Sequence, residues 1–323
     1  MTNQQVSETI FKAINLIRID IMSNKSNKYY RKEIKNKCWN FFTNEFVRLL
    51  TEQTEHFQEV YDFLADDLSR ETYLADIKNR VLRLYYSGFL TDEMTNVQIY
   101  SAEQHRRDII KFKTNHKVSH WSNFIANDVM IAIKDQYTIP GLFEVTPGDV
   151  VFDIGSYNGA NAISFAGQTG PSGQVYSFEP ILTLFEDSRN NTASYSNITC
   201  VQLALSNFTG TCLFSSLGTV SSASDQGDQR VDVDTLDNFV ETRGIKVDFI
   251  KMDIEGGELT ALYGATKSIG YFRPKLAICI YHNNGEDLLT VPLFLNNLNM
   301  NYLFYIRKYH ISWQESVILA LPR

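Results

Sequence analysis

Three acidic residues stand where an apolar run gives way to a turn. Asp153 lies in Val150–Ile154, just ahead of the glycine-bracketed turn Gly155-Ser156-Tyr157-Asn158-Gly159. Glu179 follows Val175–Phe178, and Asp253 follows Phe249–Met252. Glycines let such a turn bend sharply and let a ligand approach without a Cβ in the way. A carboxylate at the end of the next strand, here Glu179, can accept two hydrogen bonds from a ribose diol. Strand, glycine turn and acid together point to a nucleoside-containing cofactor across the C-terminal edge of a parallel sheet.

The spacing narrows the cofactor. A dinucleotide needs G-x-G-x-x-G, whose backbone N–H groups cradle a pyrophosphate. Counted from Gly155, the second and third glycine places hold Tyr157 and Ala160. S-adenosylmethionine has no phosphate. It needs room for a methionine arm and acceptors for an ammonium group, which Asp153, Gly155, Ser156, Tyr157 and Gly159 can supply. Asp253 joins the expected cofactor set, with Glu179 on the ribose. A tight strand–helix turn without any ligand is the plainer alternative.

Methyl transfer from a sulfonium needs alignment above all. An alcohol acceptor must also lose a proton, which a placed base helps to remove. The run Asp253-Ile254-Glu255-Gly256-Gly257-Glu258 offers carboxylates at one strand end. Glu255 is read as pointing toward the acceptor, while Glu258 either joins it or serves the N-terminus of the following helix. His282, after Leu276–Tyr281, is a second candidate base, since an imidazole titrates at about 6.5; a structural histidine is the alternative. His310, in the final link, is a weaker one. His116 and His120 are four apart but lack the glutamate of a zinc helix. Oxygen ligands from Asp253, Glu255 and Glu258 could hold Mg²⁺; the favoured reading uses no metal.

These residues need a scaffold. From Pro147 onward, strand-like runs at Val150–Ile154, Val175–Phe178, Ile198–Leu203, Phe249–Met252 and Leu276–Tyr281 alternate mostly with helical stretches, the pattern of a wound parallel sheet. The Ser/Gly/Asp-rich interval after Ala204 suggests one small extra strand at Cys212–Phe214, and Tyr302–Ile306 with Val317–Leu321 reads as an antiparallel pair closing the sheet. Upstream the spacing is helical, around Ile10–Ile17, Phe41–Leu50, Phe57–Arg83 with Gly88 as stop, and 122–136. Residues 1–118 are expected to be a helical region that caps the substrate or forms a homodimer, and 119–323 the catalytic domain.

The 323 residues carry net charge −7, most of it in the C-terminal half, which argues against nonspecific nucleic-acid binding. The basic run from Lys25 to Lys37 reads as a solvated helix face. Cys38, Cys200, Cys212 and Cys279 form no C-x-x-C pair and are expected to be buried free thiols. With no signal-like or membrane-spanning run, the expected compartment is cytoplasmic.

The motifs taken together resemble the FkbM family of methyltransferases. The matching pieces are Asp153–Gly159, Phe178-Glu179-Pro180, Ala204-Leu205-Ser206, Thr235-Leu236-Asp237 and, above all, Lys251-Met252-Asp253-Ile254-Glu255-Gly256-Gly257-Glu258. Arg273-Pro274, Tyr281-His282 with Asp287, and Arg307 with Tyr309-His310 are similar too, as is Phe63–Asp66 with Ser69-Arg70 upstream. Many members carry Ala-Asn where Ser156-Tyr157 stands here. The resemblance implies an α/β, Rossmann-like class I methyltransferase fold: a mostly parallel seven-stranded sheet closed by an antiparallel hairpin and preceded by helices. It also implies S-adenosylmethionine as cofactor, S-adenosylhomocysteine as product, and O-methylation of a small-molecule or glycan acceptor.

Overall fold

A computed structural model describes residues 4–12, 15, 44–85, 136–217, 220–223, 227, 229–308 and 315–323. Residues 5–12 are helical, and three helices follow: α1 (Glu45–Glu52), α2 (Thr54–Phe63) and α3 (Asp67–Tyr85). Then follow β1 (Val150–Ile154), α4 (Ala160–Thr169), β2 (Gln174–Phe178), α5 (Leu182–Thr192), β3 (Ile198–Val201), β4 (Ala204–Leu205), β5 (Gly210–Leu217), β6 (Val220–Ala223) and β7 (Gln229–Asp234). The chain ends with α6 (Leu236–Arg243), β8 (Phe249–Met252), α7 (Glu258–Tyr263), α8 (Thr266–Phe272), β9 (Lys275–Cys279), α9 (Asp287–Asn297), β10 (Tyr302–Lys308) and β11 (Ser316–Pro322).

Seven strands form one sheet in the order β10-β11-β9-β8-β1-β2-β3. The pairs β1–β2, β2–β3, β1–β8 and β8–β9 are parallel, and β11 runs antiparallel to β9. This is the class I methyltransferase arrangement expected from the sequence, with the β10–β11 pair at its edge. The expected single extra strand is instead a four-stranded sheet in the order β4-β7-β5-β6. Its small core is Ala204, Val231 and Val233, with Cys212 and Phe214 packed on it. The inward residues of β7 come from the Val-Asp-Val-Asp alternation at 231–234, a period-2 signal inside a polar stretch.

The chain separates into two compact units. One comprises Met1–Ile99, Ile280–Asn297 and Phe304–Ser316; the other comprises Tyr100–Cys279, Leu298–Leu303 and Val317–Arg323. In the larger unit, Phe152 packs against Tyr176, Phe178 and Phe239. Phe249 packs instead against Phe143 and Phe165. Phe152 is level with Ile250, the residue after Phe249, so the two rings leave the sheet on opposite faces. Helix α6 therefore covers one face and α4 the other.

In the smaller unit, Phe46, Phe57 and Tyr73 form a run of ring contacts at 6.2 and 6.4 Å. Asn44 caps α1 by accepting from the N–H groups of Phe46 and Val47. The charged stretch 57–83, expected as continuous helix, breaks at Leu64–Asp66. Leu64 pairs as an isolated bridge with Phe304, and the Ala65 N–H donates to the Phe304 carbonyl. Asp66 then accepts from the Ser69 N–H at 2.8 Å, the bond of a helix cap, and starts α3.

Helix 122–136, the Lys25–Lys37 run, Gly88, His116, His120, Cys38 and His310 lie outside the described residues, apart from Gln136, a buried turn residue. Among the described residues, Cys200, Cys212 and Cys279 form no disulfide, and of these only Cys279 is fully buried. Among the described residues no helix is long and apolar enough to cross a membrane.

Candidate active site

The end of β1 turns where two neighbouring strands constrain it. The N–H groups of Gly155 and Ser156 both donate to the Phe178 carbonyl at the end of β2. On the other side, Gly155 lies so close to the β8 exit that an added Cβ would sit 1.8 Å from the Asp253 carbonyl oxygen. Gly155 also has φ +77°, so both space and backbone demand glycine. Gly159 closes the turn at φ +84° against Ser188 and Thr192, and α4 begins at the next residue.

The acids gather around this turn. Asp153 is fully buried, its Oδ1 3.1 Å from the Lys251 ammonium. Glu179 is 5% exposed; its Oε2 accepts from the Tyr157 N–H and its Oε1 from the Ile181 N–H, both at 3.0 Å. Burial pushes Glu179 up to about 7, against those two N–H donors. Asp253 Oδ2 accepts from the Tyr137 hydroxyl at 3.3 Å. Burial pulls the Lys251 ammonium down, but Asp153 and Asp253 outweigh it and hold it above its ordinary value. Among the described residues, the buried carboxylates Asp153 and Glu179 thus lie beside one buried ammonium, a setting suited to a positively charged ligand. Ser156 Oγ, in a residue 2% exposed, meets no hydrogen-bond partner among the described residues. A buried hydroxyl without a partner is costly unless a ligand supplies one.

Residues 153–304 match the model of the methyltransferase FkbM domain. A crystal structure of methyltransferase FkbM from Methylobacillus flagellatus KT aligns with a TM-score of 0.57 at 22% identity, covering 84% of this chain and 59% of that one. Protein-L-isoaspartate O-methyltransferase from Methanococcoides burtonii is 42% identical over 62 residues, 19% of this chain and 30% of that enzyme. The chain therefore spans about three fifths of the crystallised protein and under a third of the curated one.

Within the matched stretch, the remaining sequence candidates lie on several elements. Glu255 is half-buried at φ +56°, in the turn it shares with Gly256 at φ +99°. Glu258 is fully buried and accepts from the Ile254 N–H at 2.8 Å, tying the first residue of α7 back across that turn. Ala204 sits in β4 of the four-stranded sheet, opposite Val233. His282 belongs to the smaller unit, where its ring lies 4.0 Å from that of Tyr281 and its carbonyl accepts from the Gly285 N–H at 2.8 Å. The arrangement thus brings Asp153, Gly155, Ser156, Tyr157, Gly159, Glu179, Asp253, Glu255 and Glu258 into one unit, at or next to the ends of β1, β2 and β8.

Two residues of the larger unit went unnoticed in the sequence. Tyr137, 2% exposed, reaches Asp253 from a segment that looked like the tail of a helix. Lys251 passed as part of a motif, although a lysine among Phe249, Ile250 and Met252 was itself a signal: a buried charge requires a partner.

Proposed function

We propose that this chain is an S-adenosylmethionine-dependent methyltransferase that methylates a hydroxyl of a sugar, glycan or secondary metabolite. The observation that carries the reading is the pair of buried carboxylates, Asp153 and Glu179, at the glycine turn, with the buried Ser156 Oγ lacking a hydrogen-bond partner among the described residues. That environment suits a ligand bearing an ammonium and a sulfonium, and repels a pyrophosphate. Each Glu179 oxygen accepts one backbone N–H and keeps a lone pair for a ribose hydroxyl. Asp153, Gly155, Ser156, Tyr157 and Gly159 line the methionine arm, and Asp253 and Ala204 complete the cofactor set in this proposal. The bound cofactor supplies an activated methyl group; the protein aligns the acceptor with it.

Glu255 and His282 are the bases proposed to take the acceptor proton. Glu258, spent on Ile254, is assigned to holding the turn that carries Glu255. Residues 1–118 are proposed to contribute acceptor contacts and a homodimer interface, in a cytoplasmic protein that needs no metal.

Calorimetry with S-adenosylmethionine, S-adenosylhomocysteine and NAD⁺ tests the cofactor, and turnover on a panel of glycans and metabolites tests the acceptor. Binding of NAD⁺ alone would sink the reading. Activity abolished by EDTA would restore the metal, and a monomer mass by light scattering would remove the dimer.

A further inference from the structure

Lys251 stands in the middle of β8, where all four residues are buried, and is itself 1% exposed. In register it lies between Asp153 on β1 and Ala277 on β9. The methyl side chain of Ala277 leaves the lysine free to lean toward β1. There its ammonium meets three acceptors in consecutive residues. It is 3.1 Å from Asp153 Oδ1, and donates to the Gly155 carbonyl at 2.6 Å and the Ile154 carbonyl at 3.3 Å. The ring of Tyr137 covers it at 5.5 Å, while the Tyr137 hydroxyl reaches Asp253.

Stability alone is a poor reason for this arrangement. Taking an ammonium and a carboxylate out of water carries a penalty that their attraction scarcely repays, and a well-packed apolar pair often serves the fold as well or better. What the lysine does achieve is geometric. Its acceptors are the residues on which the turn Gly155–Gly159 hinges, and Gly155 is already wedged against the Asp253 carbonyl. With the ammonium in place, the Asp153 carboxylate and the Gly155 carbonyl keep one fixed separation. Without it, Asp153 is a buried acid with no counter-ion, and the Gly155 carbonyl loses its strongest donor.

We propose that Lys251 is a positioning residue for the amino-acid arm of the cofactor, fixing the Asp153 carboxylate and the Gly155 turn that receive that arm, with Tyr137 closing over it. The inference rests on the S-adenosylmethionine reading above. It predicts a selective defect. S-adenosylhomocysteine carries the amino-acid arm; 5′-methylthioadenosine keeps the nucleoside and the sulfur but lacks that arm.

The test is calorimetric titration of the full chain with both ligands, alongside thermal melting. In Lys251→Met, S-adenosylhomocysteine is expected to bind about ten- to hundredfold more weakly, the scale of lost charge-assisted hydrogen bonds. Binding of 5′-methylthioadenosine should change by less than about threefold. Lys251→Arg, which keeps the charge, should restore most of the difference. If Lys251→Met does not melt cooperatively, Asp153→Asn with Lys251→Met removes the unpaired charge, and this double variant should bind S-adenosylhomocysteine more weakly than Asp153→Asn alone, with 5′-methylthioadenosine binding equal in the two. Equal weakening of both ligands, or unchanged S-adenosylhomocysteine binding in a folded variant, would overturn the assignment. If the unaltered chain binds neither ligand, the cofactor reading itself fails.

Discussion

Each unit buries ion pairs, and they are built differently. In the smaller unit, Asp66 accepts from Arg307 Nη2 at 2.6 Å and Nη1 at 3.3 Å, and from both the hydroxyl and the N–H of Ser69. Asp76 receives Lys308 on one oxygen and the Ser316 hydroxyl on the other. In the larger unit, the Lys251 ammonium lies 3.1 Å from Asp153 Oδ1 and also feels Asp253, while Ser156 Oγ has no hydrogen-bond partner among the described residues. The same physics gives opposite outcomes. Burial works against the Asp66 carboxyl, but Arg307 and Ser69 outweigh it and hold it at about 2. Glu179, with only backbone donors in contact, is pushed up to about 7. A saturated network has finished its work when the chain folds; an undersatisfied one is prepared for something that arrives later.

The largest expected effect breaks the chemistry and leaves both networks intact. If His282 takes the acceptor proton, His282→Ala should lower kcat by about 10²–10⁴ with cofactor affinity unchanged. Glu255→Gln, measured in parallel, distinguishes the two candidates. Near-full turnover in both variants would mean that alignment alone carries the reaction.

Next in size is a break in the saturated network. Asp76→Asn leaves Lys308, only 5% exposed, without its carboxylate. Unfolding stability should fall by about 3–5 kcal/mol, as for other broken buried pairs. Affinity for S-adenosylhomocysteine should stay the same in the folded fraction. Asp76→Leu with Lys308→Met should recover most of the loss, because neither charge is then stranded. A cofactor defect in Asp76→Asn would show that this network is not purely structural.

The contrast between the two units also marks what could be read in the sequence. The large sheet and its acids were legible because each strand ends in a recognisable break: an aspartate and glycine at 153–155, Glu179-Pro180 at 179, Asp253 followed by Gly256-Gly257. Those signals are local. The gap between α2 and α3 was harder, because Asp66 with Ser69 reads as a cap only once the chain is known to stop at Leu64 to pair with Phe304, 240 positions away. The four-stranded sheet hid in a Ser- and Asp-rich stretch, since a small sheet with one wet face buries few apolar side chains. Tyr137 gave no signal at all. Its importance lies in meeting Asp253, a contact across 116 positions that no spacing rule encodes.

Cofactor affinity is the third test. Glu179→Ala removes both candidate ribose hydrogen bonds and should weaken S-adenosylhomocysteine binding by about 2–4 kcal/mol. It also frees the Tyr157 N–H, so a crystal structure or amide exchange should show the turn loosened. Unchanged affinity in a folded variant would remove Glu179 from the cofactor set.

The smallest effects are in the pH dependence of stability, where the two regions should slope in opposite directions. Glu179 has a folded pKa of about 7 against an unfolded value of 4.5. Between these values the folded state holds more protons than the unfolded one, so stability falls as pH rises from 4.5 to 7 and is flat above that. The total is about 3 kcal/mol. Asp66 is the mirror case, with a folded pKa of about 2 against 3.8 unfolded. There the unfolded state holds more protons, so the contribution is present above 3.8 and is lost as pH falls toward 2. Because the Asp66 side chain is 35% exposed, solvent screening should keep this term below about 1 kcal/mol. Urea unfolding across pH checks both. The difference between Glu179→Gln and the unaltered chain should change with pH only between 4.5 and 7, and that for Arg307→Met mainly below 4. Adding S-adenosylhomocysteine should steepen nothing in the acid window but oppose the fall near neutrality, since a ligand that uses the Glu179 carboxylate favours its ionised form. A Glu179 slope that persists unchanged with saturating ligand would mean that the acid prepared in the larger unit is not the one the cofactor meets.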